Sequence, residues 1–381
     1  MSAPARGSSE RGEAVVDLAA IRGNLAAVAS ALPGVETMAV VKADAYGHGA
    51  VAVSRAARDV GVAWLGVALP DEAIQLRESG DTGRLLAWLL VPGEPGIAAC
   101  VERDVDLGTG AAWAVDVIAA AARAAGTRAR VHLKVDSGLG RGGSAPDDWP
   151  SLVERARSHG DAIDVVGVWS HLACADEPAH PATSQQIAVF DDALAVAASF
   201  GISPQVRHLA SSGAALTRPD THYDMVRIGI AMYGLSPGPL VGPPWPHGLA
   251  LRPAMTLQAR VSSVKRVPKG HGASYGLTWS APHETRLALV PLGYADGIPR
   301  GVRGAEVAIG GTRYPIVGRV AMDQVVVDVG DAAVTAGDEV LVFGPGGAGE
   351  PTADAWAAWD DTIGYEIVTR LGARVPRRYV G

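Results

Sequence analysis

Short apolar runs alternate along the chain with segments whose apolar residues recur every third or fourth position. The first such segment predicts an amphipathic helix with one apolar face, formed by Leu18, Ile21, Leu25, Val28 and Leu32. Eight compact apolar runs follow, and runs of this kind are typical of parallel strands covered on both faces. They are residues 38–42, 63–69, 84–91, 105–108, 130–135, 163–170, 206–210 and 224–230.

Most intervals between these runs have helical character, as in residues 70–80 and 183–201. Eight strand–helix units within about 230 residues predict an α/β fold, an (α/β)8 TIM-type barrel. A doubly wound open sheet is the alternative. It would need a phosphate-binding G-x-G-x-x-G after its first strand, and no such motif stands there.

The pattern changes after residue 235. The stretch "SPGPLVGPPWPHG" is rich in proline and glycine, which indicates a linker or an exposed loop. From about residue 250 the apolar runs are short and separated by turn residues, with a predicted hairpin at Gly310-Gly311. We therefore predict a disordered N-terminal tail over 1–13, a barrel over 14–248 and a mostly antiparallel β domain over 249–381.

Composition narrows the class of protein. With 48% apolar and 19% charged residues the chain is globular, and a net charge of −7 disfavours nucleic acid or an anionic membrane as a partner. Its two cysteines, Cys100 and Cys174, are far apart and have no metal-site spacing, so we expect reduced thiols and no metal. The first residues contain no apolar signal segment, and we expect a cytoplasmic protein.

Lysine is rare, which makes each one conspicuous. Lys265 and Lys269 stand in a basic turn, where solvated lysine is ordinary, whereas Lys42 and Lys134 both end apolar runs. Barrel enzymes place their sites at the carboxyl ends of the strands. Other predicted strands end near polar groups there, namely His171, Ser211, Ser212 and Arg227.

Each of these residues alone has a structural explanation, such as a core histidine or a helix cap. Together they suggest chemistry. A desolvated lysine can lose its proton near neutral pH and condense with an aldehyde, and backbone amides after Ser212 could bind a phosphate. Pyridoxal 5′-phosphate (PLP) carries both an aldehyde and a phosphate. Aldolase chemistry without a cofactor is the competing interpretation of the lysine.

Several motifs resemble one known family. "MAVVKADAYGHG" around Lys42 is very similar to the cofactor-lysine motif of bacterial alanine racemases. The likeness continues in order to the C-terminus through "HLKVDSGLGR", "RHLASSGA", "MVRIGIAMYG", "SYGLTW", "GRVAMDQ" and "TIGYEIVTRLGARVPRRYV". The resemblance implies a PLP-dependent barrel and a β domain in a head-to-tail homodimer. It also implies that the first strand, residues 14–18, packs with the C-terminal domain.

The resemblance also implies a cofactor site. Lys42 would hold PLP covalently, Arg227 would face the pyridine nitrogen with His171 near it, and Arg141 would contact the phenolic oxygen and the substrate carboxylate. The phosphate ligands would be Tyr46, Ser212, Gly229, Ile230 and Tyr365.

Racemisation removes the Cα proton on one face and returns one on the other, so two bases suit it. By resemblance these are Lys42 and Tyr275 of the partner chain. We expect His171 to assist Tyr275 by hydrogen bonding and positive charge. The Met322 amide would hold the substrate carboxylate, and Tyr294 and Asp323 would line the entry corridor.

Lys134 has two interpretations. It either forms a buried salt bridge with Asp136, or is carbamylated, as is frequent in the family, with its new negative charge orienting Arg141.

The predicted function is interconversion of L- and D-alanine, supplying D-alanine for peptidoglycan. A serine or broad-specificity racemase of the same fold is the alternative. A fold-related decarboxylase and a PLP carrier protein are weaker candidates, and the carrier has no β domain.

Overall fold

The computed structural model describes residues 11–381, and most of the predicted tail, 1–13, lies outside these residues. The first strand, β1, spans Gly12–Asp17 and is followed by helix Leu18–Ala31, whose first turn is capped by the Asp17 carboxylate. This strand pairs with two strands of the C-terminal domain. No helix among the described residues is long and apolar enough to cross a membrane.

Eight parallel strands form a nearly closed barrel, which confirms the predicted fold class. They are β2 Glu36–Val40, β3 Trp64–Val67, β4 Arg84–Ala87, β5 Asp106–Thr109, β6 Ala129–Lys134, β7 Ile163–Trp169, β8 Val206–His208 and β9 Met225–Ile228. Neighbours pair in chain order from β2 to β8, and β9 pairs with β2. The Arg227 N–H donates to Ala210 O at 3.0 Å across the remaining seam, between β8 and β9.

Helices cover the barrel and explain why its strands are apolar throughout, since both faces of the sheet are buried. They are Ala50–Asp59, Pro70–Glu78, Gly96–Glu102, Ala112–Ala125, Trp149–Ser158, Pro181–Ser199 and Ser212–Thr217. The predicted helices at 18–32, 70–80 and 183–201 are present, each within a few residues of its expected ends.

The C-terminal domain is a sheet of mostly antiparallel strands. After β10 Met255–Arg260 and β11 Ser263–Val267 come a short pair, β12 Gly272–Ala273 and β13 Trp279–Ser280, then β14 Thr285–Val290, β15 Glu306–Ile309, β16 Thr312–Val317, β17 Val325–Gly330, β18 Glu339–Phe343 and β19 Arg377–Val380. The hairpin at Gly310-Gly311 joins β15 to β16 as predicted. Helices Ala353–Trp359 and Gly364–Thr369 precede β19.

The two ends of the chain meet in this second sheet. β1 lies between β10, to which it is antiparallel, and β19, to which it is parallel. The C-terminal segment also reaches the barrel, because the Arg377 guanidinium donates to Gly47 O at 2.8 Å. The loop that follows Lys42 is therefore held by both domains.

Candidate active site

One cavity of about 810 Å³ opens at the carboxyl ends of the barrel strands. Its lining includes all the residues that we predicted to contact the cofactor: Lys42, Tyr46, Arg141, His171, Ser212, Arg227, Gly229, Ile230 and Tyr365. Lys134 lines it too. The fold thus gathers side chains that are as much as 323 positions apart in the sequence, counting from Lys42 to Tyr365.

Lys42 lies immediately before a left-handed turn of the backbone. Strand β2 ends at Val40, and the residues from Ala43 to Tyr46 all have φ between 52° and 54°. This left-handed turn costs roughly 1–2 kcal/mol for each residue with a Cβ, so neighbouring contacts must stabilise it. Burial, together with the positive charges of Arg141 and Arg227, lowers the pKa of Lys42, and Glu72 opposes them.

The end of the cavity near Ser212 is built from neutral donors. Ser212 Oγ accepts hydrogen bonds from the N–H groups of Gly229 at 2.9 Å and Ala231 at 3.4 Å. A Cβ at Gly229 would lie 2.5 Å from the Tyr46 hydroxyl, so glycine is required for this approach. The rings of Tyr46 and Tyr365 are 6.0 Å apart, and burial raises the pKa of both phenols, which therefore stay protonated. Hydroxyls and amides of this kind suit a phosphate group.

Arg227 is buried and held by five acceptors. Its Nη1 donates to Nδ1 and O of His208, both at 3.0 Å, and its Nη2 donates to Ser170 O, Leu209 O and His171 Nδ1 at 2.9–3.0 Å. It makes no ion pair within the described part of the chain. Burial lowers the pKa of Arg227 to about 9, so it stays charged at neutral pH.

His171 is neutral, which corrects one expectation. Its Nδ1 accepts a hydrogen bond from Arg227, and burial with the nearby charges of Arg227 and Arg141 holds its pKa well below the usual 6.5. A positive charge on His171 near neutral pH is therefore wrong. What remains of its predicted role is hydrogen bonding.

Four of the five predicted residues from the C-terminal domain do not line this cavity, Tyr365 being the exception: they are Tyr275, Tyr294, Met322 and Asp323. Tyr275 is 67% exposed and Met322 is 52% exposed. Backbone bonds tie two of them together, since Tyr294 N–H donates to Ala321 O and Ala295 N–H donates to Met322 O, each at 3.0 Å. Asp323 pairs with Arg374 at 2.7 Å.

Comparison with known proteins decides the family. Residues 16–237 match the alanine racemase N-terminal domain, and residues 254–379 match the alanine racemase C-terminal domain. The alanine racemase of Frankia casuarinae is 54% identical over 377 residues, covering 98% of this chain and 97% of that protein. The chain belongs to the alanine racemase family.

Solved alanine racemase structures agree with this assignment. That of the D-cycloserine-producing Streptomyces lavendulae has a TM-score of 0.96 and 50% identity, and covers 98% of both chains. The Bacillus anthracis alanine racemase with bound L-Ala-P has a TM-score of 0.90 and 35% identity, and covers 99% of this chain and 96% of that one.

Alanine racemases are PLP-dependent isomerases, and the cavity of this family member fits PLP. An amine of lowered pKa, from Lys42, is available for the aldehyde. Neutral hydroxyls and amides line the end near Ser212, where Gly229 N–H donates to Ser212 Oγ, and Arg227 adds a fixed cation to the same cavity.

Behind Arg227 lies a buried polar chain that the sequence analysis missed. His208 Nε2 is 2.9 Å from His132 Nδ1, and His132 Nε2 is 3.2 Å from Asp106 Oδ2. Because Arg227 donates to His208 Nδ1, each histidine carries its proton on Nε2 and donates onward, ending at the Asp106 carboxylate. Burial raises the pKa of Asp106, but hydrogen bonds and charge from His132 and Arg130 outweigh it and lower that pKa. The sequence did offer a signal for this chain, because Asp106, His132 and His208 are polar residues within three of the apolar runs.

Lys134 does not form the salt bridge expected of its simpler interpretation. The Asp136 carboxylate accepts hydrogen bonds from the amides of Gly138, Leu139 and Gly140 at 2.9–3.2 Å and so holds the loop before Arg141. The Lys134 amine instead lies over the Trp169 ring, 4.6 Å from its centroid. Burial, with the charges of Arg227 and Arg141, lowers the pKa of Lys134 to about 8.

Proposed function

We propose that this alanine racemase family member interconverts L- and D-alanine with two bases from two chains, Lys42 of one and Tyr275 of the other. One observation carries the proposal. Lys42 lies in the cavity beside the predicted cofactor residues, whereas Tyr275 lies outside this cavity on an exposed face of the C-terminal domain. A single chain therefore presents one base at its own site and offers the second outward.

Lys42 is suited to accept and return a proton. Its lowered pKa leaves more of the amine neutral near pH 7 than an exposed lysine would have, and a neutral Nζ can take the Cα proton of D-alanine. In the reverse reaction, from L- to D-alanine, the same Nζ returns a proton to that face. Tyr275 performs the equivalent transfer on the face that L-alanine presents.

The bound cofactor supplies an aldehyde for covalent attachment and a conjugated ring that withdraws electrons from the substrate Cα. Ser212 and the amides of Gly229 and Ile230 would hold its phosphate with the phenols of Tyr46 and Tyr365. Arg227 would face the ring nitrogen, with His171 beside it. Because Arg227 keeps its proton at neutral pH, it would donate a hydrogen bond to that nitrogen and leave it unprotonated.

Substrate would be held by its carboxylate. Arg141 lines the cavity and would supply a positive charge to the carboxylate, and would also contact the cofactor's phenolic oxygen. We propose that the Met322 amide of the second copy adds a hydrogen bond, and that Tyr294 and Asp323 line the entry corridor. These assignments require a head-to-tail homodimer with active sites at the subunit interface.

We further propose that Lys134 is carbamylated. With a pKa of about 8, its amine is partly neutral near neutral pH and can add to CO₂. The resulting anion would be surrounded by Arg141 and Arg227, whose charges lower the pKa of the unmodified amine. A carbamate would therefore replace a repelled cation with an attracted anion. In the cell we propose a cytoplasmic enzyme that supplies D-alanine for peptidoglycan.

Proton exchange in deuterated water tests the two-base assignment. We expect the wild type to incorporate deuterium at Cα from either enantiomer of alanine and to act more slowly on serine. A Tyr275→Phe variant should lose exchange with L-alanine by about 10²–10⁴-fold while retaining more exchange with D-alanine. Equal losses for both enantiomers would contradict separate roles, and absent exchange in the wild type would contradict the function.

A further inference from the structure

The left-handed turn after Lys42 needs support, because Ala43, Asp44, Ala45 and Tyr46 all carry a Cβ at positive φ. Its far end is held from two sides. Asp44 Oδ1 accepts from Ala50 N–H at 2.7 Å, and Arg377 donates to Gly47 O at 2.8 Å. Neither contact involves Ala43, the residue next to Lys42.

The near end is held by the backbone bond from Ala45 N–H to Val41 O at 2.8 Å and, from outside the turn, by one carboxylate. Glu72 Oε1 accepts a hydrogen bond from Ala43 N–H at 2.5 Å. Its other oxygen, Oε2, accepts from Ala68 N–H at 2.9 Å and Leu69 N–H at 3.0 Å. One side chain therefore joins the residue next to Lys42 to the start of helix Pro70–Glu78.

Glu72 is itself well placed for this task. It is the third residue of its helix, where the helix dipole favours a negative charge and the bond to Leu69 N–H caps the first turn. A charged acceptor also makes a stronger hydrogen bond to an amide than a neutral acceptor does. The carboxylate is thus anchored on the barrel before it reaches the turn.

We propose that Glu72 is a positioning residue for Lys42: its bond to Ala43 N–H fixes the start of the left-handed turn and so directs the Lys42 amine into the cavity. This inference rests on the proposed role of Lys42. Glu72 contacts neither cofactor nor substrate in the proposed site. Its effect passes through the backbone.

The test measures bond formation at Lys42 rather than turnover. The neutral Nζ adds to the aldehyde carbon of PLP, water leaves with the carbonyl oxygen, and a C=N bond forms. Borohydride then delivers hydride to that carbon, and solvent supplies a proton to Nζ, which leaves a stable secondary amine. Full-length protein freed of cofactor is mixed with PLP, quenched with borohydride at intervals, and the peptide that contains Lys42 is quantified by mass spectrometry.

Glu72→Asp is the sharpest variant, because it keeps a negative charge at the third helix position, where the helix dipole favours it, but is too short to reach Ala43. We expect it to slow labelling of Lys42 by about tenfold, the loss of one hydrogen bond to a charged group. Glu78→Asp, at an exposed position on the same helix, should label at the wild-type rate. Adding Ala43→Gly to Glu72→Asp should restore at least about threefold, since glycine adopts positive φ without a Cβ penalty.

Each outcome decides a separate question. A wild-type Lys42 peptide that never gains the label overturns the proposed function itself. The role of Glu72 is overturned if Lys42 of the wild type is labelled normally and Glu72→Asp is labelled at the same rate. It is also overturned if adding Ala43→Gly to Glu72→Asp does not speed the labelling. If Glu72→Asp does not fold, Glu72→Gln replaces it and Glu78→Gln becomes the control. We then expect Lys42 labelling in Glu72→Gln to be at least about threefold slower than in Glu78→Gln.

Discussion

The barrel mouth and the face of the C-terminal domain around Tyr275 are built in opposite ways. In the barrel, Arg227 is buried and each of its hydrogen bonds is made within the chain. On the C-terminal face, Tyr275 and Leu277 are 67% and 68% exposed. The barrel mouth and Tyr365 of the C-terminal domain bring the predicted cofactor residues together within one chain, whereas the other face leaves apolar and phenolic groups exposed. Four predictions test this contrast.

The largest expected effect comes from separating the two bases. Lys42→Ala and Tyr275→Phe should each lower racemisation by about 10³-fold or more. In a mixed dimer one site carries both substitutions and the other carries neither, so mixing the inactive variants should restore about a quarter of wild-type activity by random pairing. Activity is measured after refolding the two variants together. A mixture as inactive as its components would place Tyr275 outside a shared site.

The buried polar chain should stabilise the barrel strongly. Asp106→Ala leaves His132 Nε2–H and the Arg130 guanidinium without their acceptor in the core, so the free energy of unfolding should fall by about 3–5 kcal/mol. The control is Asp323→Ala, which breaks the exposed pair with Arg374 and should cost at most about 1 kcal/mol. Urea denaturation compares the two. Similar losses of unfolding free energy in the two variants would show that burial does not account for the difference between the barrel and the C-terminal face.

His48 should make the barrel sensitive to acid. It is fully buried behind Tyr46, and burial lowers its pKa to about 4. In the unfolded chain its pKa is about 6.5, so the unfolded state binds more protons between these values and stability falls as pH drops from 6.5 towards 4. The loss should reach about 3 kcal/mol, at 1.36 kcal/mol for each pH unit.

Denaturation of His48→Asn at several pH values checks this, because asparagine can still donate to Ala45 O and Tyr46 O in place of His48 Nδ1. The variant should lose less stability than the wild type on acidification. His283→Asn, at an exposed position in the C-terminal domain, should follow the wild-type curve. Parallel curves for all three proteins would mean that His48 does not titrate in this range.

The smallest expected effect concerns association. Leu277→Asp should weaken the dimer by about 1.5–3 kcal/mol, the contribution of one buried leucine. Leu240→Asp changes an equally exposed leucine, 68%, in the segment between the domains. It should leave the dissociation constant in sedimentation unchanged. Equal weakening by both variants would argue against an interface centred on Tyr275.

The strands were predictable because burial on both faces leaves a continuous apolar run in the sequence. All eight barrel strands fall within two residues of their predicted runs at the N-terminal end, although several end earlier than the apolar run does, as β4 does at Ala87. An apolar residue beyond a strand can still be buried by loops, so hydrophobicity alone overestimates strand length. Val41, fully buried after the end of β2, is an example.

The predicted charge on His171 failed for a related reason. A histidine next to a strand end looks ionisable in sequence, but in the folded chain burial and the nearby cations Arg227 and Arg141 favour the neutral form of His171. The chain from Arg227 to Asp106 was missed because a histidine within an apolar run shows no partner. Hydrogen-bond partners on neighbouring strands are far apart in sequence.

The sequence by itself determined the eight-strand barrel, the second β domain, the conspicuous lysine at position 42 and, through its motifs, the family. Those features depend on local periodicity and on residues close together in the chain. Only the tertiary structure decided the left-handed turn after Lys42, the Glu72 carboxylate that supports it and the protonation of the buried histidines. Each depends on atoms brought together from separate strands, because backbone conformation and pKa respond to neighbours in space.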